Sequence, residues 1–154
     1  MTQTSTTDKG CRTALFPGSF RPFTAGHADI VARGLRIFDR IIIAVGTNAA
    51  KPSAESREAA EAIRRLYEGD SRVEVAVYDC LTVDFAAQCG ADFLLRGVRS
   101  LKDFEYERDM ADINRQLSGL ETVILFSRPE LSAISSSVVR ELASYGHDVS
   151  QFLP

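Results

Sequence analysis

Arg40-Ile41-Ile42-Ile43-Ala44-Val45-Gly46-Thr47 is apolar and largely β-branched, with a charge only at its first residue. A strand with one wet face alternates polar and apolar side chains. One this uniform must be covered on both faces, which points to a parallel sheet between layers of helices. On its N-terminal side, Ile30, Val31, Leu35 and Phe38 fall on one face of a helix. Before them, Thr13-Ala14-Leu15-Phe16 is a short apolar strand broken by Pro17-Gly18. On the C-terminal side, residues 48–56 read as a small-polar loop. Ala59, Ile63, Leu66 and Tyr67 then form a second amphipathic helix that stops at Gly69-Asp70. Val73, Val75 and Val77 alternate in a third strand, and a short helix follows near residues 83–87. Residues 92–95 read as a fourth strand leading into Arg96-Gly97-Val98-Arg99. Tyr106, Met110, Ile113 and Leu117 mark the apolar face of a longer helix. Residues 122–126 are a fifth strand, and Ser135 opens a last helix carrying Val138, Val139 and Leu142.

Strands alternating with helices predict an α/β fold, a doubly wound five-stranded parallel sheet. Residues 13–154 read as a single domain, and residues 1–12, polar throughout, as a flexible lead-in. In such sheets ligands bind beyond the carboxyl ends of the strands, where the strand order reverses. Segments 17–27, 46–53, 78–82, 96–103 and 127–137 therefore become the site candidates.

Composition narrows the chemistry. The chain has 154 residues, 18 Lys+Arg against 21 Asp+Glu, and 45% hydrophobic residues. That balance excludes disordered, collagen-like and disulfide-scaffold classes. No apolar run approaches the ~18 residues of a membrane span. The slightly acidic charge argues against nucleic acid or an anionic membrane as partner, since either calls for a basic stripe. Cys11, Cys80 and Cys89 are odd in number and lack zinc-ligand spacing, and Cys80 and Cys89 read as buried thiols. Two histidines cannot build a histidine-rich metal centre, so no protein-borne metal site is expected. A polar N-terminus without an apolar signal core points to the cytoplasm.

Two post-strand loops carry the chemistry. Pro17-Gly18-Ser19-Phe20-Arg21-Pro22-Phe23-Thr24-Ala25-Gly26-His27 follows the first strand. Its Gly18 allows close backbone approach, and Thr24, Gly26 and His27 stand at a helix start, where free N–H groups attract phosphate. Ile134-Ser135-Ser136-Ser137-Val138-Val139-Arg140 opens the last helix with three hydroxyls and an arginine one turn on. Neither is a G-x-x-x-x-G-K-[ST] loop nor a G-x-G-x-x-G turn, so P-loop hydrolase and ordinary dinucleotide readings lose their support. Taken singly, each has a plainer reading: His27 as a cap, Ser135 as an N-cap with bystanders. Arg96 and Arg99 could equally be a solvated turn paired with Asp103 or Glu105.

Together, P-G-S-F with T-x-G-H and I-S-S-S-x-x-R resemble the nucleotidyltransferase superfamily, which works on a Rossmann-like fold. Leu95-Arg96-Gly97-Val98-Arg99, Asp103-Phe104-Glu105-Tyr106-Glu107, Asn114-Arg115, Lys51 and the closing Asp148-Val149-Ser150-Gln151-Phe152-Leu153-Pro154 are similar to the phosphopantetheine adenylyltransferase family. The resemblance runs from about Thr13 to the last residue. It implies adenylyl transfer from ATP to 4′-phosphopantetheine, giving dephospho-coenzyme A and pyrophosphate in coenzyme A biosynthesis. It further implies ATP contacts at Ser19, Phe20, His27, Gly97, Val98, Arg99, Glu107 and the stretch Leu131-Ser132-Ala133-Ile134-Ser135-Ser136-Ser137. Phosphopantetheine contacts are implied at Ser19, Lys51, Thr82 and Arg96, with His27, Lys51 and Arg99 as the catalytic group. The family's usual homohexamer, magnesium carried on the ATP phosphates, and coenzyme A as a candidate feedback ligand come with it.

A phosphate nucleophile is already ionised, so such a reaction needs positioning and fixed positive charge more than a base. His27, Lys51, Arg96 and Arg99 are the expected sources of that charge. Two features depart from the family pattern: Arg21 stands where an aspartate is usual, and Ala25 where an asparagine is common. A sister nucleotidyltransferase with another phosphate acceptor, or a non-catalytic nucleotide-binding subunit, are the alternative readings. A flavodoxin-like response regulator fails, because Pro17-Gly18-Ser19 offers no acidic phospho-acceptor cluster.

Overall fold

The computed structural model describes residues 10–47 and 53–154. Its strands are β1 (Thr13–Gly18), β2 (Arg40–Gly46), β3 (Val73–Tyr78), β4 (Phe93–Val98) and β5 (Glu121–Phe126). Its helices are α1 (Ala25–Gly34), α2 (Ala54–Leu66), α3 (Thr82–Cys89), α4 (Leu101–Ser118) and α5 (Ser136–Ser144). The strands form one parallel sheet in the order β3-β2-β1-β4-β5. From β1 the chain builds outward to β3, returns past β1 to lay down β4, and then builds the other way. The order reverses between β1 and β4, so their carboxyl ends diverge around a crevice. Of the expected lead-in, residues 1–9 lie outside the described residues, and so does the loop segment 48–52. The Arg12 carbonyl accepts from the Asp39 and Arg40 backbone N–H groups.

Alternation along the strands sorts the core into two layers. Ala14, Phe16, Ile41, Ile43, Val45 and Leu95 face one side, where Ile30, Val31, Ala60 and Ile63 of α1 and α2 cover them. Leu15, Ile42, Ala44 and Leu94 face the other, against Ala86 of α3. The uniformly apolar β2 is buried on both faces, and Ile41 through Val45 are at most 1% exposed.

Several local expectations change. β1 runs through Pro17 and Gly18, because Pro17 needs no amide donor at the strand's end. α1 stops at Gly34, so Phe38 joins the core from the connecting turn. α2 starts earlier than expected, capped by the Ser53 hydroxyl accepting from the Ser56 N–H. Its buried residues are Ser56, Ala60 and Ile63, and Leu66 is exposed. β4 continues to Val98, which makes Arg96 and Gly97 strand residues. Cys80 is exposed and Cys89 half-buried, since Cys80 sits in the turn after β3 and not in the layer above it.

The largest correction concerns α4. Tyr106, Met110, Ile113 and Leu117 are exposed, whereas Asp103, Glu107, Ala111 and Asn114 turn inward at i, i+4, i+8 and i+11. The helix is rotated so that its polar stripe meets the sheet. Glu107 pairs with Arg96 there.

Gly18 shows how tightly β1 ends. A Cβ there would stand 2.8 Å from Phe20 Cζ, and the Phe20 ring is itself wedged against Phe16 and Phe23. Gly18→Ala should therefore destabilise the protein by about 1–3 kcal/mol, the usual range for overpacking. Urea unfolding with an unchanged midpoint would show that the ring can move aside.

Candidate active site

The loop after β1 is organised by a reciprocal cap. The Thr24 backbone N–H donates to His27 Nδ1 at 3.0 Å, and the His27 N–H donates to Thr24 Oγ1 at 3.4 Å. Two otherwise orphaned donors at the start of α1 are thereby satisfied. Because Nδ1 accepts, the ring proton sits on Nε2, which remains as a hydrogen-bond donor. The ring is held by Phe20, with centroids 5.0 Å apart and planes at 90°, and by Phe23 at 5.4 Å. Burial first, then the positive charges of Arg96 and Arg99, push its pKa down to about 4. His27 is thus a neutral donor at neutral pH. The expectation that it supplies positive charge is corrected: packing among phenylalanines beside two guanidinium groups disfavours a second proton on the ring.

Phe20 itself is bent into positive φ (48°) with its side chain 3% exposed. It is also among the residues that line the groove beside His27. Arg21 forms an ion pair with Glu55 on α2, so the side chain that departs from the family pattern is tethered rather than loose. Its carbonyl accepts from Arg140 of α5, and the Pro22 carbonyl accepts from Ser136 Oγ at 2.7 Å. These bonds tie the first loop to the serine turn. A second clamp holds the far side: Asp29 of α1 pairs with Arg33 and with Arg128, each at 3.0 Å. Ser135 caps α5, accepting from the Val138 N–H at 3.2 Å, so it serves as both cap and wall of the crevice.

Arg96 and Arg99 have different partners. Arg99 pairs with Asp103 at 3.2 Å at the start of α4. Arg96 donates Nε and Nη2 to the two Glu107 oxygens, at 2.9 and 2.6 Å, and Nη1 to the Pro17 carbonyl. Burial alone would lower the Arg96 pKa, but the hydrogen bonds and charge of Glu107 outweigh it and hold the group fully charged. Gly97 beside it lets α1 come close, since a Cβ would stand 3.1 Å from Ile30 Cγ1.

Two grooves open at this edge of the sheet. One, about 290 Å³, is walled by Gly18, Ser19, His27, Gly97, Arg99 and the turn Ile134-Ser135-Ser136-Ser137. The other, about 330 Å³, is walled by Ser19, Thr47, Tyr78, Thr82, Tyr106, Glu107 and Asn114. Pro17, Gly18, Ser19 and Arg96 line both. Two ligands, one in each groove, would meet across Ser19 and Arg96. Among the described residues no cluster of three or more His, Cys, Asp or Glu could hold a metal ion.

The structure therefore gathers Ser19, His27, Gly97, Arg99 and residues 134–137 around the first groove, and Ser19, Thr82 and Arg96 around the second. Val98 is buried at the end of β4, and Leu131, Ser132 and Ala133 lie just before the serine turn, outside the groove lining. Glu107 lines the second groove and not the first, since its carboxylate is taken by Arg96. Lys51 lies outside the described residues. Tyr78, whose hydroxyl lies 2.9 Å from Thr82 Oγ1, and the Pro17 carbonyl fall within the candidate segments 78–82 and 17–27, but sequence reasoning did not single them out as site residues. It missed the inward stripe of α4, although the i, i+4, i+8, i+11 spacing of Asp103, Glu107, Ala111 and Asn114 was legible.

Comparison with known proteins identifies the family and the fold. The cytidylyltransferase-like family matches residues 15–142. A phosphopantetheine adenylyltransferase from Porphyromonas gingivalis is 57% identical over 144 residues, 92% of this chain and 93% of that protein. One from Bacteroides thetaiotaomicron is 53% identical over 146 residues, 93% of this chain and 95% of its own. Among solved structures, a candidate nicotinate-nucleotide adenylyltransferase from Vibrio parahaemolyticus superposes with a TM-score of 0.63 at 15% identity, over 93% of each chain. At that identity the last likeness concerns the fold alone.

The depressed pKa of His27 has a consequence for stability. Unfolded, the ring binds a proton near its ordinary value of 6.5; folded, only near about 4. Between those values the unfolded state holds more protons, so stability falls as pH drops from about 6.5 toward 4. The full contribution is about 3 kcal/mol at ~1.4 kcal/mol per pH unit. His27→Gln should flatten that part of the stability profile in urea titrations run at several pH values. An unchanged slope would mean that the ring protonates freely in the folded protein.

Proposed function

The chain belongs to the cytidylyltransferase-like family and to the phosphopantetheine adenylyltransferases within its reach, and from that premise we propose how its two grooves carry out adenylyl transfer to 4′-phosphopantetheine in coenzyme A biosynthesis. The observation that carries the reading is the shared wall of Pro17, Gly18, Ser19 and Arg96 between them. ATP occupies the groove of His27, Arg99 and the serine turn, and phosphopantetheine the groove of Thr82 and Tyr78. Their phosphates face each other at Ser19. An oxygen of the acceptor phosphate attacks the α-phosphorus, a new P–O bond forms, the α–β bridge breaks, and pyrophosphate leaves.

The acceptor brings its own negative charge, so the site need not remove a proton. His27 Nε2–H donates to oxygens on which charge builds, and the Arg96 and Arg99 guanidinium groups hold the phosphates in line. The neutral state of His27 suits this role, since a fixed donor needs no proton exchange. Lys51 follows β2 in sequence and is assigned to the acceptor phosphate, and the buried Thr122 hydroxyl on the floor of that groove, without a hydrogen-bond partner among the described residues, suits a pantetheine amide. The donors around the nucleotide groove are hydroxyls, amide N–H groups and guanidinium ions. They suit phosphate oxygens, so magnesium is assigned to the nucleotide that carries it, where it would neutralise phosphate charge.

Residues 13–154 act as one catalytic domain in this reading. No helix among the described residues is long and apolar enough to cross a membrane, and the cytoplasm, where ATP is abundant, is the proposed place of action. Leu101, Ile113, Leu117 and Phe126 are 84, 50, 63 and 65% exposed. Such a surface suits burial between copies, in keeping with a homohexamer. Coenzyme A contains both a pantetheine arm and an adenine nucleotide, so as a feedback ligand it would compete across both grooves.

Pyrophosphate release from ATP, dependent on phosphopantetheine, tests the reading directly; release with a different phosphate acceptor instead would favour the sister activity. His27→Ala should lower kcat by ~10²–10³, the scale for one preorganised donor. Lys51→Ala should raise the KM for phosphopantetheine and leave that for ATP nearly unchanged. Arg21→Asp should alter ATP affinity by no more than ~1 kcal/mol, typical of an exposed pair.

The pH profile separates donor from base. A phosphate monoester loses its second proton near pH ~6, well above the value of about 4 for His27. The acidic limb of kcat/KM for phosphopantetheine should therefore lie near pH ~6 and persist in His27→Gln at a lower rate. Its disappearance in that variant would require His27 to act as a base.

A further inference from the structure

Glu107 is 6% exposed and is the buried residue of α4, a helix whose Tyr106, Ile113 and Leu117 are exposed. This reverses the ordinary partition of side chains, because burying a carboxylate is costly unless a cation and hydrogen bonds compensate it. The compensation is complete here: both carboxylate oxygens receive Arg96, through Nε at 2.9 Å and Nη2 at 2.6 Å. The third nitrogen of the same guanidinium donates to the Pro17 carbonyl. The plane of Arg96 is thus defined by three bonds to two other elements, α4 and the end of β1. A guanidinium has five N–H groups, so one remains on each terminal nitrogen. Arg96 lines both grooves, beside Ser19.

We propose that Glu107 is a positioning residue: it acts through Arg96, fixing the guanidinium at the junction of the grooves so that its two remaining N–H groups meet the acceptor phosphate. The inference rests on the assignment of the second groove to phosphopantetheine. It gives Glu107 a different role from a nucleotide contact, and it explains why α4 turns a polar stripe to the sheet. An arginine on a strand has rotamer freedom that a single hydrogen bond would not remove. A bidentate carboxylate on a neighbouring helix, together with a carbonyl on a neighbouring strand, removes it before the substrate arrives.

Glu107→Gln keeps size but replaces one acceptor oxygen by an NH2 group, which cannot accept from the guanidinium, and removes the negative charge. It should raise the KM for phosphopantetheine at least ~10-fold, the scale of a small misplacement at a reacting centre, with the KM for ATP changed less than ~3-fold. Glu107→Asp, which retains the charge on a shorter arm, should raise the same constant by a smaller factor and serves where the glutamine variant does not fold. In an Arg96→Lys background, Glu107→Gln should add less than ~2-fold, because a residue acting through Arg96 has nothing left to position. A selective rise in the KM for ATP would overturn the proposal in favour of a nucleotide contact. Additive effects in the double variant, tighter acceptor binding, or a lowered melting temperature with both KM values unchanged would also overturn it. Wild-type turnover of phosphopantetheine is the separate control: its failure rejects the acceptor assignment, whereas the split between the two constants in Glu107→Gln judges the positioning role.

Discussion

An open parallel sheet with helices on both faces reverses its direction of growth, and at that place two neighbouring strand ends lead their loops apart. Here the place is between β1 and β4, and everything chemical in the molecule gathers there. The loop after β1 turns toward α1 and carries His27. β4 delivers Arg96 and Gly97 to the same edge, and its exit places Arg99 at the mouth. The loop after β5 returns across the crevice with the serine turn. Hydrogen bonds from Ser136 and Arg140 to the Pro22 and Arg21 carbonyls close it against the first loop. Without the order reversal these segments would be dispersed along a continuous edge.

The electrostatics of the site follow from burial more than from formal charge. Four basic side chains suggest a uniformly positive crevice, but the described ones divide into distinct roles. His27 is held neutral by the phenylalanines around it and the arginines beside it. Arg96 keeps its charge because Glu107 is buried with it, and Arg99 shares its charge with Asp103 at the more exposed end. The result is a graded array in which a neutral donor, a buried cation and a more exposed cation face one junction. Such preorganisation serves a reaction in which negative charge migrates between bridging oxygens and no proton must be taken from the nucleophile.

The same pair explains the orientation of α4. Apolar side chains at Tyr106, Met110, Ile113 and Leu117 would ordinarily turn a helix toward the sheet. Here Glu107 of the polar stripe meets Arg96, while Ile113 and Leu117 of the apolar row stay exposed. One helix therefore serves the groove with its polar stripe and leaves an apolar stripe available to another surface.

Periodicity and turn residues alone determined the alternation of strands and helices, the doubly wound class and the segments that follow the strands. These depend on local physics: a run such as Ile41 to Val45 has few ways to be buried, and Pro17-Gly18 or Gly69-Asp70 interrupt regular structure wherever they occur. The motif residues Ser19, His27, Arg96 and the serines at 135–137 were legible for the same reason, since each lies where a strand ends or a helix begins. Only the tertiary structure decided the protonation of His27, the inward placement of the Phe20 ring, the exposure of Cys80 and the rotation of α4. The protonation of His27 and the rotation of α4 turn on partners in other elements: Arg96 and Arg99 beside His27, and Glu107 of α4 against Arg96 of β4. Periodicity identifies which residues share a face, but which face turns inward is settled by the energy of contacts that exist only once the sheet has formed.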